Sequence, residues 1–397
     1  MEIVDWYLIG WFVLSSLLWC LLFTVGSRRI SSVHKLSEQT LPPDLDTPKI
    51  SIIIAACNEE ETIEAALQTI LIQDYPNFEL VVVNDRSTDS TGNILDQMAQ
   101  QDPRIVPFHN EHLPEGWLGK IHAMHKGTQM ATGEWLLYMD ADVHFKKGAL
   151  RQAVHYVMHH NLDHITLIPK LICSGFWLET LIAAFGTTLM GALKIEALDD
   201  PNRKDAFAGV GAFNMVRRST YEKSEGFEWF KMEIGDDMAL GYVIKKAGGR
   251  TALLFGEGTF TLAWYPSLSA MFVGLEKNIF GIGLQYNISR LPIALYIGFS
   301  FLFGPLMALF VPVFPYSWAI GAVALLTFII STVPTHRKTG VGWLPTLCVP
   351  AGLFLLHLVL IRSAWICWRQ GGIYWRGTKY SLQELKKGQR LIPPFKE

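Results

Sequence analysis

Phe78–Asp85 reads FELVVVND, and Ser87–Gln101 reads STDSTGNILDQMAQQ. The first stretch is a β-branched, apolar run that stops abruptly at Asn84 and Asp85, the pattern of a buried strand. The second opens on residues that cap helices and then spaces Ile94, Leu95 and Met98 along one helical face. The same alternation continues on both sides. ISIIIAA (Ile50–Ala56) precedes NEEETIEAALQTILIQ (Asn58–Gln73). RIVPFHN (Arg104–Asn110) precedes a helix over Lys120–Met130, and WLLYMDAD (Trp135–Asp142) follows as a fourth strand. Strands alternating with helices predict an α/β domain with a parallel sheet covered on both faces. Sites in such sheets lie beyond the carboxyl ends of the strands.

Polar residues gather at those ends. Asp140 and Asp142 close the fourth strand as Asp-Ala-Asp. Two residues apart on an extended segment, they point the same way and offer oxygen ligands to a hard divalent ion. A solvated turn is the plainer account of so short a motif. Asp85 can accept hydrogen bonds from a nucleobase or ribose, or cap the next helix, a task Ser87, Thr88 or Asp89 can also fill. Asn58, Glu59 and Glu60 open the first helix, where acidic residues suit the helix dipole. Asp236 and Asp237 fall in the first turn of a helix over MALGYVI; one of them exceeds the needs of a cap, and Asp237 can serve as a base. Lys120, after a glycine at a helix start, can meet a phosphate. His155 and His159 have no third ligand nearby and read as surface histidines. Lys277 reads as a snorkelling side chain or a partner for lipid phosphate.

The flanks are of different composition. Leu8–Val25 is almost unbroken apolar sequence, long enough to cross a bilayer core of about 30 Å. Glu2 and Asp5 precede it and Arg28 and Arg29 follow. This order is the reverse of a cleaved signal peptide and places the next segment in the cytoplasm. The expected organisation is an anchor over residues 1–30, a linker over 31–49 with Pro42, Pro43 and Pro48, and a catalytic domain over 50–262. An interfacial amphipathic region over 263–290, membrane helices over 291–367 and a basic tail over 368–397 complete it. Three apolar stretches (about 291–311, 317–333 and 344–365) are candidate spans. If all three cross, the basic tail lies outside, against the positive-inside tendency; one is therefore expected to be re-entrant or interfacial. Half of the 397 residues are hydrophobic and mean hydropathy is +0.23. A net charge of −2 gives no basic field for nucleic acid. The five cysteines have no metal-ligand spacing and suit a reducing compartment.

The series ACNEE (Ala56–Glu60), VVNDRSTD (Val82–Asp89), GWLGK (Gly116–Lys120), MDADVHF (Met139–Phe145), FNMVRR (Phe213–Arg218) and GDDMALG (Gly235–Gly241), in this order, resembles the membrane-bound family 2 inverting glycosyltransferases. Within them it is most similar to the hopanoid-associated and carotenoid (diaponeurosporenoate-type) enzymes, and more distantly to ceramide glucosyltransferase. The resemblance implies a GT-A nucleotide-diphospho-sugar transferase domain with an N-terminal transmembrane anchor and C-terminal transmembrane helices. It implies hexosyl transfer from a nucleotide-sugar, a UDP-sugar, to a lipid acceptor at the cytoplasmic membrane face. Asp85 then binds the uracil or ribose, and Lys120 lies by the nucleotide. Asp140 and Asp142 hold Mg²⁺ or Mn²⁺, with Asp142 favoured as the direct ligand. Asp237 is the base, preceded here by Asp236 where relatives have Glu. Glu59 matches the acidic residue of the first strand–helix turn.

Polysaccharide synthases of the family carry Gln-x-x-Arg-Trp, and no such string occurs here. Tyr374-Trp375-Arg376-Gly377 instead resembles the Trp-Arg/Lys-Gly-Arg ending of lipid-modifying relatives, with Thr378 in place of the last Arg. Trp375 and Arg376 are expected to close over the donor pyrophosphate. Two rival readings are a processive polysaccharide synthase and a catalytically inactive membrane scaffold.

Overall fold

The computed structural model describes residues 3–36, 46–311 and 315–392. In chain order its elements begin α1 (Ile3–Ser32), β1 (Ile50–Ala56), α2 (Ile63–Leu71), β2 (Phe78–Asp85), α3 (Thr91–Gln101), β3 (Ile105–Asn110), α4 (Gly119–Met130) and β4 (Trp135–Met139). There follow β5 (His144–Phe145), α5 (Ala149–His159), β6 (His164–Ile168), β7 (Lys170–Leu171), α6 (Phe176–Ala192), β8 (Asn214–Arg217), α7 (Arg218–Tyr221), α8 (Gly226–Trp229), α9 (Asp236–Lys246), β9 (Thr251–Phe255) and β10 (Phe260–Leu262). The last are α10 (Leu268–Leu284), α11 (Leu291–Phe310), α12 (Ser317–Thr339), α13 (Trp343–Leu347), α14 (Val349–Gln370), β11 (Gly372–Trp375), β12 (Thr378–Ser381) and α15 (Leu382–Gly388). They form two units. The α/β unit takes Val33–Ile172, Lys194–Trp264 and Tyr374–Glu397; the helical unit takes Met1–Ser32, Cys173–Leu193 and Tyr265–Ile373.

The strand expected over FELVVVND is β2, in the left half of a seven-stranded sheet ordered β3-β2-β1-β4-β8-β6-β9. Its side chains alternate between the two faces. Leu80 and Val82, with Ile52 and Ile54 of β1, join a core with Ile63, Leu67 and Ile70 of α2 and Leu95 and Met98 of α3. On the opposite face α4 lies so close that a Cβ on Gly127 would stand 2.5 Å from Ile53 and 3.4 Å from Val83. Burial of each such aliphatic side chain contributes about 1.5–3 kcal/mol.

The expected all-parallel sheet is instead mixed. β8 runs antiparallel to both β4 and β6, while the remaining pairings are parallel. Its entry follows from direction: an antiparallel strand begins where its neighbour ends. Gly211 therefore lies beside Asp140, whose N–H it receives on its carbonyl at 3.0 Å. A second sheet, ordered β5-β10-β7, extends this unit.

Two domain boundaries differ from expectation. Residues 50–262 are not one continuous body, because Cys173–Leu193 belongs to the helical unit. Helix α6 has 17 apolar-rich residues, too few to register as a span in sequence and placed between soluble-looking strands. The tail from Tyr374 joins the α/β unit. Of the expected linker, residues 37–45 with Pro42 and Pro43 lie outside the described residues. Its ends are built into the fold: the His34 carbonyl accepts from Phe255 N at 2.8 Å, and the Pro48 carbonyl accepts from Tyr75 Oη at 2.5 Å.

In the helical unit, Trp19 and Phe23 of α1 pack with Ala183 and Ala184 of α6, Leu302 of α11, Phe328 of α12 and Leu353 of α14. Arg29 donates to the Gly191 carbonyl at 2.7 Å, which suits a cation at the C-terminal end of α6. Among the described residues four helices, Ile3–Ser32, Ile288–Phe310, Ser317–Thr339 and Val349–Gln370, are long and apolar enough to cross a membrane. All three C-terminal stretches thus meet the length for a span. In the region expected to be interfacial, α10 pairs Glu276 with Arg362 of α14, and Ser363 accepts from Phe280 N at 3.1 Å.

Candidate active site

The α/β unit assembles its chemistry from loops that follow β1, β2 and β4, from the entry to β8 and from the start of α9. Asn58 has a left-handed φ of 56°, so the chain turns before the helix, and α2 starts only at Ile63. The acidic residues there do not cap α2 as the sequence suggested. Glu60 instead accepts from Ser90 N at 2.8 Å, and Asp89 accepts from Glu60 N at 3.1 Å. These bonds tie the loop after β1 to the start of α3. Glu59 stands between them, its amide bonded to Thr91 Oγ1 at 2.8 Å.

Asp85 ends β2 and is only 3% exposed. Burying a carboxylate is costly unless it is paired and hydrogen-bonded. Arg86 supplies the pair in a bidentate fork at 3.0 and 2.8 Å, and Asn110 donates to the same carboxylate at 2.8 Å. Arg86 adopts a left-handed φ of 58°, and its Nη1 donates to Thr378 Oγ1 at 3.1 Å. Gly119 leaves room for this pair: a Cβ there would stand 2.6 Å from both Arg86 Nη2 and Asp85 Oδ2.

Lys120 follows directly. Its ammonium stands 2.8 Å from Asp140 and 3.0 Å from Asp236. Burial alone disfavours the charged amine, but the two carboxylates overcome it and hold Lys120 above the usual lysine range. The lysine expected to lie by a nucleotide thus joins the aspartate after β4 to the start of α9.

Asp140 and Asp142 do not extend β4; the strand ends at Met139 and Ala141–Asp142 form a turn. Burial, and then the negative charges of Asp140 and Glu59, push the Asp142 carboxyl up to about 6. A site that crowds anions in this way suits a cation. Among the described residues no three His, Cys, Asp or Glu side chains form a ready metal cage. Two carboxylates nevertheless fit Mg²⁺ or Mn²⁺, which take the rest of their coordination from phosphate and water.

Asp237 lies at the start of α9, as expected. Its carboxylate accepts from Gly211 N at 3.1 Å and from its neighbour Met238 N at 2.8 Å. Burial and then the adjacent Asp236 raise its carboxyl above the ordinary range, with Lys120 opposing them. Gly209 is packed so tightly here that a Cβ would stand 1.8 Å from the Asp237 carbonyl oxygen.

The tail enters the same unit. β11 and β12 form a hairpin whose turn residues Arg376 and Gly377 have φ of 47° and 76°. Arg376 pairs with Glu59 at 2.5 Å, and Trp375 lies half-buried just before it. Seven of the sequence-derived residues (Glu59, Asp85, Lys120, Asp140, Asp142, Asp237 and Arg376) therefore belong to one polar region. From sequence, Arg86, Gly211, Glu233, Thr378 and Tyr380 received no role in the site. Only the buried Glu233 carried a local signal, a third acidic residue three positions before Asp236.

The family model described as "Glycosyl transferase family 2" matches residues 51–224. A Campylobacter jejuni protein, GalNAc(5)-diNAcBac-PP-undecaprenol beta-1,3-glucosyltransferase, is 31% identical over 214 residues, covering 49% of this chain and 68% of its own. The 4,4'-diaponeurosporenoate glycosyltransferase of Staphylococcus aureus is 23% identical over 366 residues, covering 90% of this chain and 95% of its own. Other relatives match in part: the chain spans 38% and 44% of the length of two of them. A mannosyltransferase of Pyrobaculum calidifontis, solved in complex with GDP-Man and Mn²⁺, superposes with a TM-score of 0.52 at 17% identity, covering 90% of this chain and 98% of its own. The fold is accordingly GT-A-like, an α/β domain with a mixed central sheet and long apolar helices on either side of it in sequence. With a family model over residues 51–224 and a relative matched across two thirds of its length, the chain belongs to glycosyl transferase family 2.

Proposed function

We propose that the protein transfers a hexose from a UDP-sugar to a lipid acceptor, with inversion, in a single displacement. One observation carries this reading: Gly211 receives the Asp140 N–H on its carbonyl and gives its own N–H to the Asp237 carboxylate. One backbone unit thereby spaces a donor-side aspartate from a base. Asp85, with Arg86 and Asn110 around it, takes the uridine. Asp142 and Asp140 are the residues that hold a divalent ion, which when bound offsets the charge of the leaving diphosphate. Asp237 accepts the proton of the acceptor hydroxyl or carboxyl. The acceptor oxygen forms the new bond to the anomeric carbon, and the electrons of the broken carbon–oxygen bond leave with the diphosphate. Its raised carboxyl suits a base that must later release that proton near neutrality. Arg376 and Trp375 close over the donor from the hairpin.

A lipid acceptor is supported by the four long apolar helices and by the relatives whose names specify lipid-linked or carotenoid substrates. The proposed location is the cell membrane, multi-pass, with the α/β unit in the cytoplasm. The bonds from Arg376 and Thr378 to Glu59 and Arg86 support a tail on the same side. Between Trp264 and Tyr374 the chain then crosses an even number of times, so one of the three C-terminal helices is re-entrant or interfacial. A reporter at the C-terminus checks this, and external activity would overturn it. The activity is tested by incubating membranes with labelled UDP-glucose, UDP-galactose and UDP-N-acetylglucosamine. A single sugar on an extractable lipid is expected. A polymer would favour a processive synthase, and no labelled product with intact UDP-sugar would favour an inactive scaffold.

A further inference from the structure

Tyr380 is a tail residue on β12, only 6% exposed. Its phenolic oxygen accepts the N–H of Gly119 at 3.0 Å. The hydroxyl hydrogen has no acceptor among the described residues, although a buried phenol normally donates to a partner. Its position is informative. Gly119 opens the twelve-residue helix α4 and directly precedes Lys120. A Cβ on Gly119 would lie 2.6 Å from Asp85 Oδ2, 2.6 Å from Arg86 Nη2 and 3.7 Å from Tyr380 Oη. The hydroxyl therefore stands beside the Asp85–Arg86 pair and next to the residue whose side chain reaches Asp140. A nucleotide with its base end at Asp85 and its diphosphate toward Asp140 and Asp142 brings its ribose–phosphate junction there.

The hairpin that carries Tyr380 is fixed on both sides. Thr378 accepts from Arg86, and Arg376 pairs with Glu59. Farther along, the buried carboxylate of Glu233 accepts from Arg390 N at 2.7 Å and Leu391 N at 2.9 Å. These amides anchor the chain end to the loop that leads into Asp236 and Asp237. We propose that Tyr380 is a donor-binding residue. Held as an acceptor by Gly119, its hydroxyl donates to a ribose or phosphate oxygen of the nucleotide. The proposal rests on the nucleotide-sugar reading above, and it makes the C-terminal hairpin part of the donor pocket.

The test uses the full-length protein in detergent with Mn²⁺ and compares binding of uridine, UMP and UDP to the wild type and Tyr380→Phe. UDP affinity is expected to fall about 10-fold or more, the usual weight of a hydrogen bond to a charged group. Thr378→Val, which disturbs the hairpin but keeps the hydroxyl, is expected to lose less. A loss for UMP and UDP alone identifies a phosphate acceptor, and an equal loss for uridine identifies the ribose; either supports the proposal. Tight wild-type UDP binding with unchanged affinity in a folded Tyr380→Phe overturns it alone. A wild type that binds no nucleotide overturns the donor reading as well. If Tyr380→Phe does not fold, 3-fluorotyrosine at this position keeps the ring and makes the hydroxyl more acidic. Tighter UDP binding is then expected, and unchanged binding overturns the proposal.

Discussion

The backbone N–H of Gly211 points at Asp237 Oδ2 from 3.1 Å, although the two residues are 26 positions apart. On its other side, a Cβ on Gly211 would stand 2.9 Å from Asp140 Oδ2. Gly211→Ala is therefore expected to push the Asp140 side chain aside and leave the backbone in place. Transfer should fall by about 10–100-fold, the scale of a misplaced reacting group, with little change in Tm. Gly209→Ala meets the Asp237 backbone oxygen instead, so it should lower Tm as well as activity. Melting curves and initial rates on the same preparations separate the two.

Asp237→Asn keeps the shape of the start of α9 and removes the proposed base. Transfer is expected to drop by about 100-fold or more, while UDP binding stays within a factor of a few. Retained transfer would end the assignment.

The rate should also depend on pH in a defined direction. As the proposed base Asp237 must be ionised, and its carboxyl is held above the ordinary aspartate value of about 4. Activity is therefore expected to be lost on acidification well above pH 4. Lys120 lowers and Asp236 raises the Asp237 carboxyl. Lys120→Met should move the acid limb of kcat to higher pH, and Asp236→Asn should move it lower. Shifts in the same direction would contradict the charge arrangement.

Chelation with EDTA should abolish transfer, and Mg²⁺ or Mn²⁺ should restore it. Asp142→Asn is expected to require much more metal for half-maximal rate, since it removes one of only two carboxylates proposed to hold the ion. A metal requirement unchanged in this variant would count against Asp142 as a ligand.

Stability should fall below pH 6.5 because of one buried histidine. His164 is fully buried, bonded to Asn214 and, at 3.2 Å, to Thr251. Burial depresses its imidazole to about 4. Between about 6.5 and 4 the unfolded chain binds a proton that the folded chain refuses, so stability declines as pH falls, by about 3 kcal/mol over the whole window. Glu79 adds to this at lower pH. Burial would raise its carboxyl, but Lys49, Ser51 and Thr132 outweigh burial and hold it at about 2. Its contribution is present above about 4.5 and is lost as pH falls toward 2. The Tm of the detergent-solubilised protein should decline from pH 6.5 to 5, and less steeply in His164→Asn.

Sequence by itself determined the strands and helices of the first half, because the β-branched runs of β1 and β2 and the helical spacing of apolar residues in α2 and α3 are local signals. It also singled out the carboxylates that the structure brings to one polar region, since Asp85, Asp140, Asp142 and Asp237 each follow an apolar run or open a helix. Only the tertiary structure decided the rest. The antiparallel setting of β8 comes from a pairing between residues far apart, and with it the placing of Gly211 between Asp140 and Asp237. The partners of Lys120 are Asp140 and Asp236 because loops distant in sequence converge at strand ends. Tyr380 meets Gly119 across 261 positions. Hydrogen bonds of that range leave no period and no local composition in the chain, so no reading of neighbouring residues can supply them.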